Sequence, residues 1–256
     1  MDEVHLRWFD YWLKGNQNGV PDDPPVKIFE PGKNAWLHTD HWPLGDKEKL
    51  LFLRFDGKTG DLSDVPPPTD DPEQSYRYNP VDPAPTRMDI KKYPLEDIPL
   101  DQTLVESRPD VLSYSSEALL EELVISGWPH LTIYAASNCE DTEWHVKITD
   151  VYPDGRSMKV TQGCLRASYR ESLEKPSRLV PGEIYTFDIE LWPTHHVFLS
   201  GHCVRVTITS SDFPWFARSM NRFGKIANLA APIVATNSIF HTPIYSSRLK
   251  LPVQQT

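Results

Sequence analysis

The chain has 256 residues, 39% hydrophobic and 24% charged, with a formal net charge of -10. That is enough apolar mass for a packed core, which excludes a disordered chain, and the negative charge repels a phosphate backbone or an anionic lipid surface, so no nucleic acid or membrane partner is expected. No apolar run reaches the roughly 18 residues of a membrane span, and the opening MDEVHLRWFD lacks the basic and apolar regions of a secretion signal.

Asp2 to Lys14 reads as a helix stopped by Gly15, with Lys14 favourably placed in its last turn. Val4, Trp8 and Trp12 form one row at helical spacing and Leu6, Phe9 and Leu13 a second. Apolar residues therefore cover about half the circumference, too much for a terminal helix lying on one neighbour. Either the helix is deeply embedded in this fold or it belongs against a neighbour outside it.

From Asn16 to about Arg108 the chain is dense in proline, as in PDDPP, DVPPPTDDPE and YNPVDPAPT. Proline removes ladder donors, so short strands and extended excursions are expected, with strand-like pieces at Val26–Phe29 and Leu50–Phe55. Beyond Arg108 apolar and polar residues alternate. Trp144, Val146 and Ile148 alternate with His145, Lys147 and Thr149. Tyr185, Phe187, Ile189 and Leu191 alternate with Thr186, Asp188 and Glu190, and Val204, Val206 and Ile208 with Arg205, Thr207 and Thr209. Each such strand should bury one face and wet the other. Pro153-Asp154-Gly155 supplies a turn between two of them. No convincing helix intervenes, and the expected class is all-β, a two-sheet β-sandwich of jelly-roll type with a short N-terminal helix.

Chemistry is hard to find in the sequence. There is no G-x-S-x-G nucleophile elbow, no G-x-x-x-x-G-K-[ST] loop and no G-x-G-x-x-G turn. His195 and His196 are adjacent, so on a strand they face opposite sides and cannot share an ion; both are expected at a surface or interface. With no H-E-x-x-H or H-x-H spacing, no metal site or cofactor is expected. Glu140, Asp141 and Glu143 form the tightest acidic cluster beside a strand, and the expected arrangement is Asp141 capping a turn with the glutamates solvated. Cys139, Cys164 and Cys203 are widely spaced and odd in number; they should be small buried apolar residues in a reducing, cytoplasmic compartment. Trp36, Trp42, Trp128 and Trp215 could stack on sugars from an exposed sandwich face, although core packing is the commoner fate of tryptophan.

Taken in order, the landmarks become recognisable. They are Arg7-Trp8-Phe9-Asp10-Tyr11-Trp12-Leu13-Lys14-Gly15, Trp42-Pro43, Tyr78-Asn79-Pro80-Val81-Asp82-Pro83-Ala84-Pro85-Thr86, Arg108-Pro109-Asp110-Val111-Leu112 and Asp141-Thr142-Glu143-Trp144. Asp150-Val151-Tyr152-Pro153-Asp154-Gly155-Arg156, Arg166-Ala167-Ser168-Tyr169-Arg170 and Ser247-Arg248-Leu249-Lys250-Leu251-Pro252-Val253 follow. This series resembles the C-terminal half of the cocaine esterase and α-amino-acid ester hydrolase (CocE/NonD) family, related to the X-prolyl dipeptidyl aminopeptidases. Cys203, Glu143 and Asp212 depart from that family's usual arginine, aspartate and asparagine, so no ligand role is carried onto them.

The resemblance implies a galactose-binding-like jelly roll from a serine hydrolase of acyl esters or amides, beginning just downstream of the last catalytic residue. It implies no catalytic residue in this chain. It also implies three segments: residues 1–15, the terminal helix of an absent α/β-hydrolase domain; 16–107, a connecting arm with the first strands; and 108–256, the sandwich. Trp8, Phe9 and Trp12 become candidates for interdomain packing, and Met88 and Tyr93, in the variable stretch from Arg87 to Ser107, for contact with the acyl pocket. The expected partners are the absent hydrolase and cap domains, the small substrate and, as an alternative, further copies of the chain. The competing reading is a free-standing carbohydrate-binding or protein-interaction module.

Overall fold

A computed structural model describes residues 2–68, 71–87, 100–224 and 231–255. Helix α1 (Asp2–Lys14) opens the chain and stops at Gly15, whose φ of 72° lies in the left-handed region. The strands that follow are β1 (Val26–Glu30), β2 (Ala35–Thr39), β3 (Lys47–Phe55), β4 (Gly60–Ser63) and β5 (Gln74–Tyr78). After the one-turn helix α2 (Thr103–Glu106) come β6 (Leu112–Ser115), β7 (Leu123–Gly127), β8 (His130–Ser137), β9 (Glu143–Val151) and β10 (Ser157–Arg166). The last five are β11 (Tyr185–Glu190), β12 (Thr194–Phe198), β13 (Cys203–Thr209), β14 (Ala235–Ile239) and β15 (Arg248–Val253).

β1 and β2 form a separate antiparallel hairpin, while ten of the other strands join one hydrogen-bonded path in the order β10-β9-β13-β6-β4-β3-β15-β8-β14-β5, with β11 attached at β8 and the β7–β12 pair attached through β7 at β15. β4 is the corner of that path, antiparallel to β3 and parallel to β6. β8 gives one edge to β11 and divides the other between β15 and β14. The path folds back on itself as the expected β-sandwich. Its filling includes Trp144 of β9, Phe187 of β11, Val206 of β13, Leu131 of β8 and Leu249 of β15, all with no or almost no exposed surface. The Trp144 and Phe187 rings meet across the interior at 5.3 Å, and the core side of each alternating strand is the one read from the sequence.

The opposite side departs from expectation. His145, Lys147 and Thr149 of β9, and Thr207 and Thr209 of β13, are buried rather than wet. β9 lies between β10 and β13, and α2 and the segment after Ser211 lie across its outer face: the Lys147 ammonium donates to Asp212 at 2.8 Å and to Gln102 at 3.2 Å. The polar groups on this face are satisfied by one another, which is the condition for burying them.

The proline-rich arm contributes to the same sheet, because β3 pairs with β15, β4 with β6 and β5 with β14. Of the three cysteines only Cys139 is buried; Cys164 is exposed and Cys203 half-buried. Cys164 sits on the outer face of β10, which has no further strand beyond it in the sheet order.

Candidate functional site

Helix α1 has no buried residue. Trp8, Phe9 and Trp12 are 50%, 48% and 57% exposed, and Val4, Leu6 and Leu13 still more. Among the described residues their ring contacts stay within the helix, Trp8 with Phe9 at 5.3 Å and with Trp12 at 6.0 Å, and Trp12 with Tyr11 at 5.0 Å. What holds the helix is polar: Arg7 pairs with Asp23 at 2.5 Å, and the Asn18 amide donates to the Arg7 carbonyl at 2.6 Å. Of the two alternatives left open by its apolar circumference, deep embedding in this fold is therefore wrong. A contiguous apolar face of this kind marks an interaction surface.

A second aromatic region lies on the β1–β2 hairpin and beside it. Phe29 and Trp36 make an edge contact at 5.3 Å, with the Lys27 ammonium 4.8 Å above the Trp36 ring. Trp42 meets Trp128 at 4.8 Å with the rings tilted by 57°. Trp36, Trp128, Trp192 and Trp215 are all at least 40% exposed, so core packing is not their fate. The hairpin hangs on β12 through the Val197 N–H donating to the Pro31 carbonyl at 3.1 Å and through Glu30 against His195 at 3.1 Å.

That contact corrects the placement of the two adjacent histidines. They do face opposite sides of β12, but both are buried, His195 under the hairpin and His196 against Asp150 at 3.1 Å. The same Asp150 carboxylate meets His202 at 2.8 Å. The acidic cluster also resolves differently. Asp141 is buried, and its carboxylate accepts from the Thr142 and Ser168 backbone N–H groups and the Arg166 guanidinium. Glu143 turns in to His145 at 3.2 Å, and only Glu140 is exposed, paired with Arg178.

His196–Asp150, His145–Glu143 and His195–Glu30 each provide the base and orienting carboxylate of a nucleophilic triad. Among the described residues, no serine, threonine or cysteine side chain hydrogen-bonds to any of these imidazoles. Cys164, the cross-strand partner of His145, is exposed as a residue, yet partial desolvation of its thiol and then the charges of Glu143 and Asp212 push it up, the opposite of activation. Among the described residues no group of three or more histidines, cysteines or carboxylates is placed to hold a metal ion, and no helix is long and apolar enough to cross a membrane. Met88 and Tyr93, the expected pocket contacts, lie outside the described residues.

One sizeable cleft, about 770 Å³, opens between β3, β4 and the segment following β6. Leu51, Leu62 and Val204 form its apolar floor, and Asp56, Asp61 and Glu117 lie on its rim. Burial and then Asp56 push the Asp61 carboxyl up.

These features define an all-β sandwich module that carries an unpartnered aromatic helix and lacks an assembled triad among its described residues. The X-Pro dipeptidyl-peptidase C-terminal non-catalytic domain model matches residues 18–250, and the chain belongs to that family. It is 33% identical over 260 residues to the cocaine esterase of Rhodococcus sp. (strain MB1 Bresler), covering 98% of this chain and 45% of that protein. Among solved structures it superimposes on an aminopeptidase from a marine sediment archaeon, Thaumarchaeota archaeon, with a TM-score of 0.87 and 28% identity, covering 99% of this chain and 44% of the other. An α-amino acid ester hydrolase gives 0.84 and 31%, over 96% of this chain and 44% of its own. The chain thus spans less than half the length of each of these relatives. The family read from the ordered motifs and the family matched here agree.

Proposed function

We propose that this chain is the C-terminal, non-catalytic sandwich of a serine hydrolase acting on acyl esters or amides. In that role it packs on the α/β-hydrolase and cap domains and helps shape the acyl pocket. The observation that carries this reading is α1: six apolar side chains at 48% exposure or more on a helix that buries nothing. Water-exposed tryptophan and phenylalanine forfeit about 1.5–3 kcal/mol each of available burial. The three-part division at residues 15 and 107 belongs to the same proposal, as does pocket contact by the stretch from Arg87 to Ser107.

Attack by a serine on the acyl carbon, an acyl-enzyme and its hydrolysis through a histidine would all take place on the hydrolase domain. The sandwich would supply a fixed wall. The competing sugar-binding role draws less support, since the Trp42 and Trp128 rings are tilted by 57° and form no common stacking plane. The test is hydrolysis of p-nitrophenyl acetate by the purified chain, with and without a serine-directed phosphonate. No inhibitable turnover above denatured protein is expected, and phosphonate-sensitive turnover would overturn the non-catalytic assignment.

A further inference from the structure

The outer face of β9 and β10 carries a positive cluster that the hydrolase reading does not use. Gln162 of β10 is the cross-strand partner of Lys147 of β9, and Lys159 is that of Thr149 one row along. Lys147 and Gln162 are 6% and 4% exposed. Lys147 is neutralised by Asp212 at 2.8 Å. Among the described residues Lys159 has no ion-pair partner, and its ammonium donates only to the Gln162 side-chain oxygen Oε1, at 3.2 Å.

That hydrogen bond fixes the orientation of the Gln162 amide, because an ammonium can only donate. The other end of the amide is therefore its nitrogen, a donor that is buried without any acceptor. Among the described residues, two ammonium groups and one carboxylate leave one positive charge unneutralised beside an N–H₂ without an acceptor. Burial first and Lys147 second push the Lys159 ammonium below its ordinary value. Asp212 acts against that shift but is already paired with Lys147 at 2.8 Å, while Glu143 is taken by His145 at 3.2 Å and Glu106 by Arg205 at 2.6 Å.

From this arrangement we infer that Lys159 and the Gln162 amide, backed by Lys147, form a binding site for a carboxylate. A monoanion matches the single residual charge, and its two oxygens can accept from the ammonium and the amide together. The half-buried Lys159 leaves the site an opening to solvent. A free small carboxylic acid and an aspartate or glutamate side chain of another protein segment carry the same chemistry.

The experiment is thermal unfolding of the chain in sodium acetate against sodium chloride at equal ionic strength, with sodium sulfate and N-acetyl-aspartate amide as further arms. At acetate tenfold above its dissociation constant, Tm should rise by about 2–4 °C. A larger response to N-acetyl-aspartate amide than to acetate assigns the site to a protein side chain, and the reverse assigns it to a free acid. Lys159→Met should abolish the response and, by removing a like charge beside Lys147, unfold no earlier than wild type in chloride. Gln162→Glu should supply the carboxylate internally, so this variant should be stabilised in chloride and indifferent to acetate. The proposal is overturned if acetate and chloride give the same wild-type Tm, if sulfate acts more strongly than acetate, or if either folded variant keeps the wild-type response.

Discussion

The buried Asp141 is paired with the half-buried Arg166, whose guanidinium donates to one carboxylate oxygen at 2.8 Å while the other oxygen accepts from the Thr142 and Ser168 N–H groups at 3.0 Å each. Arg166 also donates to the carbonyls of Arg222 and Gly224, so the pair ties the entrance of β9 to a segment far along the chain. Burial pushes the Asp141 carboxyl up, and Arg166 acts against that shift. Arg166→Ala would leave the carboxylate buried without its cation, and should cost about 3–5 kcal/mol in urea-induced unfolding. A carboxyl raised in the folded state binds its proton more readily there than in the unfolded chain, so the cost should grow as pH rises from about 4.

His241 provides a stability switch of opposite sign. Its Nδ1 lies 3.0 Å from the Pro72 carbonyl and its Nε2 3.0 Å from the Tyr114 hydroxyl. A carbonyl can only accept, so the neutral ring carries its proton on Nδ1 and accepts at Nε2 from Tyr114. Burial holds this imidazole below its ordinary value of 6.5. The unfolded chain takes up the proton first as pH falls, so the contribution of His241 is complete above about 6.5 and lost as pH drops below it. His241→Asn keeps a donor for Pro72 but deprives the buried Tyr114 hydroxyl of its acceptor, which should cost about 1–3 kcal/mol at pH 8. Chemical denaturation at several pH values should show the difference between variant and wild type narrowing toward pH 5.

The exposed helix predicts behaviour in solution. Replacing Trp8, Phe9 and Trp12 together by serine should lower self-association in sedimentation equilibrium. Unfolding of the sandwich should change little, because exposed substitutions usually stay within about 0.5 kcal/mol each. A folded variant that sediments like wild type would remove the basis for a docking role.

Gly32 sets the seat of the hairpin. Its φ is 94°, and a Cβ there would lie 2.1 Å from the Val197 carbonyl oxygen of β12. Neither backbone can yield without breaking the Val197–Pro31 hydrogen bond, so Gly32→Ala should release β1 and β2 from the sandwich. Hydrogen exchange should accelerate across residues 26–39 while β9 and β13 stay protected.

Much of this architecture was legible beforehand. The positions of α1, β1, β3, β9, β11 and β13 follow from periodicity, because side-chain spacing alone decides which residues share a face. The ordered motifs then identified the family across nearly the whole chain. Periodicity did not reveal what lies across a face. Lys147 and Thr149 read as solvated, yet Gln102, Glu106 and Asp212 cover them from distant parts of the chain. His195 is buried because a hairpin begun at Val26 docks on β12, and the Gln162 N–H₂ is left without an acceptor because the ammonium groups beside it, Lys147 and Lys159, can only donate. Local sequence determined the strands, the turns and the side of each strand that enters the core. Tertiary structure alone decided which polar groups lost their water, because burial of a face depends on contacts between residues that are remote in the chain.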